Sequence, residues 1–127
     1  MTRPLEPPPI GPLGWVLESA VQRAQRFAET FLIPAAAERE SVRIGQGVKL
    51  LFWIQSTDED IATCERMWVL VTARPAGNTF AGQLQSTPDT PGTLTRGTLV
   101  SFTADHIAEI YDGPTGHPAN PYRSPWR

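Results

Sequence analysis

The chain has one cysteine, Cys64, and two histidines, of which His106 lies within the body of the sequence beside Asp105. A Cys-His pair does chemistry when the imidazole takes the thiol proton and a third group orients the ring. Cys64, His106 and Asp105 are therefore the residue types of a small covalent hydrolase. Glu65, Asp105, Glu109 and Asp112 supply carboxylates, and a glycosidase would need two of them facing each other across a cleft. Metal chemistry finds no pattern to use, because Cys-x-x-Cys and His-Glu-x-x-His spacings are absent. Asp58-Glu59-Asp60 lacks the glycine and distal glutamate of a calcium loop and reads as a solvated loop tip. Gly45-Gln46-Gly47 precedes a strand instead of following one, which makes it a turn and not a phosphate cradle. No metal and no cofactor is expected.

Aromatic residues offer a second kind of chemistry. Trp53 and Trp68 are able to stack on bases or sugars, although both sit in apolar runs that favour core packing. Near the C-terminus, Pro118-Ala119-Asn120-Pro121-Tyr122-Arg123 has the Pro-x-x-Pro-x-Arg form that docks into aromatic grooves. Tyr122, Arg123, Trp126 and Arg127 are also of the types enriched in interface hot spots.

These residues must be positioned by one domain, since 127 residues leave no room for two ordinary cores. Lys and Arg total 11 against 13 for Asp and Glu, so the net charge of -2 supplies no field to attract a phosphate backbone. Nucleic acid is not an expected partner. A lone cysteine cannot close an intramolecular disulfide, the N-terminus carries no signal-like apolar run, and Leu50–Ile54 and Met67–Val71 fall far short of the ~20 residues that cross a bilayer. The expectation is a soluble, cytoplasmic protein that keeps away from membranes. Proline is frequent, 13 in all. Nine of these stand at positions 4, 7, 8, 9, 12, 114, 118, 121 and 125. Such stretches lack backbone donors, so the reading is two proline-rich arms, 1–12 and 113–127, around a domain spanning 13–112.

Within that domain, Leu17, Val21, Ala24, Ala28 and Phe31 recur at steps of four and three, which predicts an amphipathic helix over Trp15–Phe31 stopped by Pro34. A further helical turn is expected between Pro34 and Glu40. After Arg43 the period becomes two. Val48, Leu50, Phe52 and Ile54 fall on one face of a strand whose other face, Lys49, Leu51, Trp53 and Gln55, is also largely apolar, so this strand is central. Ser56–Thr63 reads as a surface connection, followed by strands over Arg66–Arg74 and Thr79–Gln85 joined through Pro75-Ala76-Gly77-Asn78. Thr98–Thr103 forms a fourth strand, and His106–Tyr111 a short fifth strand or helical turn. The fold class expected is α+β: an N-terminal amphipathic helix packed on a small, strongly curved antiparallel sheet of about five strands, in the manner of an SH3-like barrel.

Four segments carry a resemblance. Gly47-Val48-Lys49-Leu50-Leu51-Phe52, then Glu65-Arg66-Met67-Trp68-Val69, then Phe80-Ala81-Gly82-Gln83-Leu84 followed by Pro88, then Gly97-Thr98-Leu99-Val100-Ser101-Phe102 with His106-Ile107 follow one another as in the bacterial YegJ-like family of domains of unknown function. The chain resembles that family from about Val42 to Tyr111. The resemblance implies a compact, mostly β domain and brings no activity, catalytic residue or cofactor. Similar small domains occur near immunity proteins of toxin systems, which implies by analogy a partner-neutralising role. Family members commonly place an acidic residue where this chain has Thr98.

Taken together, the sequence points to a non-enzymatic interaction domain with a protein partner, and Trp53, Glu65, Arg66, Trp68, His106, Tyr122 and Trp126 are its expected contact residues. A hydrolase built on Cys64 and His106, and a ligand binder that stacks bases or sugars on Trp53 and Trp68, are the alternatives.

Overall fold

An extended segment that is apolar on both faces folds stably only if both faces and both edges are covered, and Gly47–Gln55 (β2) meets that condition. The computed structural model describes residues 7–111. Before β2 come a strand, Trp15–Glu18 (β1), and two short helices, Ala20–Arg26 (α1) and Ala36–Glu40 (α2). After it come Ala62–Ala76 (β3), Thr79–Leu84 (β4), Leu99–Thr103 (β5), a 3₁₀ turn at Ala104–His106, and Glu109–Tyr111 (β6). One edge of β2 pairs with β3 from Gly47↔Leu70 to Gln55↔Ala62. Its other edge is shared: β1 pairs with Leu51–Ile54 and β6 with Gly47–Lys49.

The strands follow one another as β1-β2-β3-β4-β5, every pairing is antiparallel, and the sheet curls strongly into a half-barrel of SH3-like character. The curl is local to β3 and β4, where the register shifts between Val71 and Ala73 and again between Ala73 and Ala76. Gly82 sits in that bend. A Cβ there would lie 2.3 Å from the Leu70 carbonyl oxygen, so only glycine permits the two strands to approach so closely.

Val48, Leu50, Phe52, Ile54, Met67, Val69, Val71, Phe80, Val100 and Phe102 fill the inside of the curl. Leu51, of opposite parity, faces outwards and is buried by Ala20, Phe31 and Ala108, with Ala24 and Phe27 beside them. The helical segment is thus the outer cover of β2.

Three expectations need correction, the smallest being that Ser56–Thr63 is not all connection, since Ala62 and Thr63 already pair with Gln55 and Ile54 as the start of β3. The segment Trp15–Phe31 is not one helix: Trp15–Glu18 is a strand, and α1 covers only seven residues. Trp15 and Leu17 alternate with Val16 and Glu18, and the edge of β2 offers Val16 and Glu18 ladder bonds that outweigh helix propensity over so short a stretch. Ser19 then starts the helix by accepting the Gln22 amide at 3.1 Å. The hairpin turn is Gly77-Asn78 alone, since Ala76 and Thr79 are already paired, with Gly77 at φ 40°. The second helix forms between Pro34 and Glu40 as expected. Glu38 accepts the Ala35 amide at 3.0 Å there, which is half of a capping box.

Candidate functional site

Cys64 lies on the outer face of β3, opposite Trp53 of β2 and beneath α1. Arg23 of α1 grips Glu18 through two hydrogen bonds, from Nε at 2.7 Å and Nη2 at 2.6 Å, and its Nη2 also donates to Cys64 Sγ at 3.4 Å. Trp53 Nε1 donates to the same carboxylate at 2.7 Å. Each partner of this buried group is satisfied, which is what makes a charge pair tolerable under a helix. Burial pushes the Cys64 thiol above its ordinary value, and the nearby Arg23 guanidinium opposes this only in part. The group is a protonated thiol in a structural network.

His106 and Asp105 are occupied elsewhere. His106 Nδ1 accepts the Thr103 amide at 3.0 Å, so it is the unprotonated ring nitrogen. Burial pushes the imidazole below its ordinary value, with Asp105 offsetting part of the effect. Asp105 is 64% exposed and lies 3.6 Å from Arg39 Nη1. Arg39 itself is buried and ties α2 to the 3₁₀ turn by donating to the Ala104 carbonyl at 3.2 Å and to the Pro34 carbonyl at 3.0 Å. Cys64, His106 and Asp105 therefore each bond to a different partner and form no relay.

The remaining expected contact residues are dispersed. Trp53 is 6% exposed and packed. Trp68 is half-buried, with Lys49 Nζ 4.8 Å from its ring centre and Tyr111 edge-on at 6.1 Å. Glu65 accepts the Asp89 and Thr90 amides at 2.9 and 2.7 Å and the Thr90 hydroxyl at 2.5 Å, thereby anchoring the loop after β4. Arg66 is exposed and stacks over Phe31 at 4.9 Å. Tyr122 and Trp126 lie outside the described residues. Among the described residues, no group of three or more His, Cys, Asp or Glu side chains is placed to hold a metal ion, and no helix is long and apolar enough to cross a membrane.

His106, of the expected residues, lines a substantial hollow. A groove of about 410 Å³ runs between β1 and β5 and is bounded by Leu13, Trp15, Val16, Leu17, Leu99, Ser101 and His106. Leu13 and Leu99 are 65% and 72% exposed. Sequence reasoning missed all of the leucines here, although one signal existed: Leu99 and Ser101 alternate against the core residues Val100 and Phe102, which marks Leu99 as an apolar residue on a solvent-facing side.

Backbone polarity along the groove follows from two bonds. The Gly14 carbonyl accepts from the Gln55 amide at 2.9 Å, and the Thr98 carbonyl accepts from the Leu84 amide at 2.9 Å. Backbone groups alternate sides along a strand. Those of Val16 and Glu18 therefore face β2 and those of Val100 and Phe102 face β4. The N–H and C=O groups of Trp15 and Leu17, and of Leu99 and Ser101, point into the gap between β1 and β5. A second hollow of about 340 Å³, bounded by Pro34, Glu38, Ser41, Arg43, Gln46 and Ile110, is more polar and carries charges of both signs.

Compared with family models, with curated proteins and with solved structures, the chain gives no match, so the likeness to YegJ-like domains rests on its four sequence segments alone.

Proposed function

We propose that this protein is a non-enzymatic recognition domain that binds a protein partner at the groove between β1 and β5. The supporting observation is the convergence of two well-exposed leucines, Leu13 and Leu99, on one groove that also holds Trp15 and His106. Exposed large apolar side chains gathered at a concave surface mark a site of association. The chemistry that a hydrolase would use is meanwhile spent on structure: the Cys64 thiol on Arg23, the His106 Nδ1 on Thr103.

The test is affinity capture from native extract with the full chain and with Leu99→Asp. Leu99 is exposed, so the substitution leaves the core intact and places a charge in an uncharged groove. The expected result is a stoichiometric protein recovered by the native chain and lost with the variant. Identical recovery by both chains, or no recovered protein, refutes the reading.

A further inference from the structure

The chemistry of the groove narrows the kind of partner, and this step rests on the recognition reading above. Each neighbour in β1-β2-β3-β4-β5 is antiparallel, so β1 and β5, at the two ends of five strands, run parallel to each other. They are not paired with each other. Each presents outward backbone groups to the gap, Trp15 and Leu17 from one side, Leu99 and Ser101 from the other. A single extended strand running antiparallel to both would satisfy both rows and close the curled sheet into an antiparallel barrel. Strand addition at a free edge is a recognised mode of peptide binding, in which main-chain bonds give affinity and alternate side chains give selectivity.

The occupant is limited further by charge and by chain composition. No groove residue carries a formal charge while His106 is neutral, so the complement is an uncharged, apolar stretch. The chain's own outlying segments are unsuited to the role. Residues 112–127 have proline at 114, 118, 121 and 125, and residues 1–6 have Pro4. Proline lacks the N–H that an inserted strand must donate at every residue, to β1 and β5 in turn, and no proline-free run in 112–127 exceeds three residues. His106 sets one end of the site, because its ring already takes the Thr103 amide and closes that part of the β5 edge.

We infer that the domain binds an extended, proline-free, uncharged strand of a partner protein, about the four residues of β1 in length, inserted antiparallel between β1 and β5. The apolar side chains of that strand alternate, one set facing the half-barrel interior near Trp15 and Leu17.

Random decapeptides displayed on phage and selected against the full chain test this directly. Selected sequences should share a proline-free core with alternating apolar residues. The best of them, made synthetically, should slow hydrogen exchange at the Trp15, Leu17, Leu99 and Ser101 amides by about tenfold or more, and N-methylation of one central residue should weaken its binding by about tenfold, the equivalent of one backbone bond. Proline-rich or helical selected sequences, an N-methylated peptide that binds equally well, or no selected sequence at all overturns the strand. If Leu99-dependent capture of a cellular protein persists alongside any of these results, partner recognition stands and only the strand mode falls. If capture fails as well, both fall.

Discussion

His106 owes its neutral state to burial, and its neutral state lets Nδ1 accept the Thr103 amide at 3.0 Å. The unfolded chain has a histidine near its ordinary value of about 6.5, whereas the folded value lies lower. Below about pH 6.5 the unfolded state therefore binds the proton first. The stability contributed by His106 is complete above that pH and is lost as the pH falls towards the folded value. Urea midpoints should accordingly drop between pH 7.5 and pH 5.5 for the native chain. With His106→Asn, whose side-chain oxygen still accepts the amide but does not titrate, the drop should shrink; with His117→Gln it should persist. Cys64 gives a second expectation of the same kind. Burial raises its thiol, so alkylation by iodoacetamide at pH 8 should be far slower in the folded protein than in urea. Equal rates would contradict the placement under α1.

Two connections hold the strands where the groove needs them. The bend of β4 over β3 depends on Gly82, whose Cβ position is blocked by the Leu70 carbonyl at 2.3 Å and by Val69 Cγ1 at 2.6 Å. Gly82→Ala should cost about 3 kcal/mol, the upper part of the overpacking range, measured by urea unfolding. The loop between β4 and β5 hangs on Glu65. Removing its carboxylate with Glu65→Ala leaves the Asp89 and Thr90 amides without their acceptor and should cost about 1–3 kcal/mol, with exchange fastest at those two amides and their neighbours. That loop also ties to the segment before β1, through the Thr93 hydroxyl that donates to the Leu13 carbonyl, and to the segment after β2, through the Thr57 amide that donates to the Pro91 carbonyl. Loosening it should therefore raise exchange at the groove rim near Leu13 as well.

Across the molecule, protection should follow coverage. β2 is paired on both edges and buried on both faces, inside by the main core and outside by Phe31 and Ala20, so its amides and those of β3 opposite should exchange only by global unfolding. The outward amides of β1 and β5 have no strand beside them among the described residues and should be among the fastest in any strand. Native-state exchange with increasing urea reads this gradient directly. Slow exchange at Trp15, Leu17, Leu99 and Ser101 in the free protein would mean that the gap is already closed.

Periodicity of two made β2, β3, β4 and β5 readable, and the doubly apolar pattern of Val48–Ile54 announced a central strand, because both are local consequences of how side chains alternate on a pleat. The same local rule failed at Trp15–Glu18. Four residues of alternation embedded in a longer stripe at steps of three and four fit helix and strand alike, and the choice fell to the ladder bonds that the distant edge of β2 supplies. The candidate residues divide in the same way. Their types were legible, but Cys64 was assigned to Arg23, Glu65 to the loop and His106 to Thr103 by contacts between segments far apart or by a turn whose placement depends on both helices. The groove is the furthest from sequence of all. It exists because a curled sheet brings its two end strands near each other without pairing them, and no residue type records that gap.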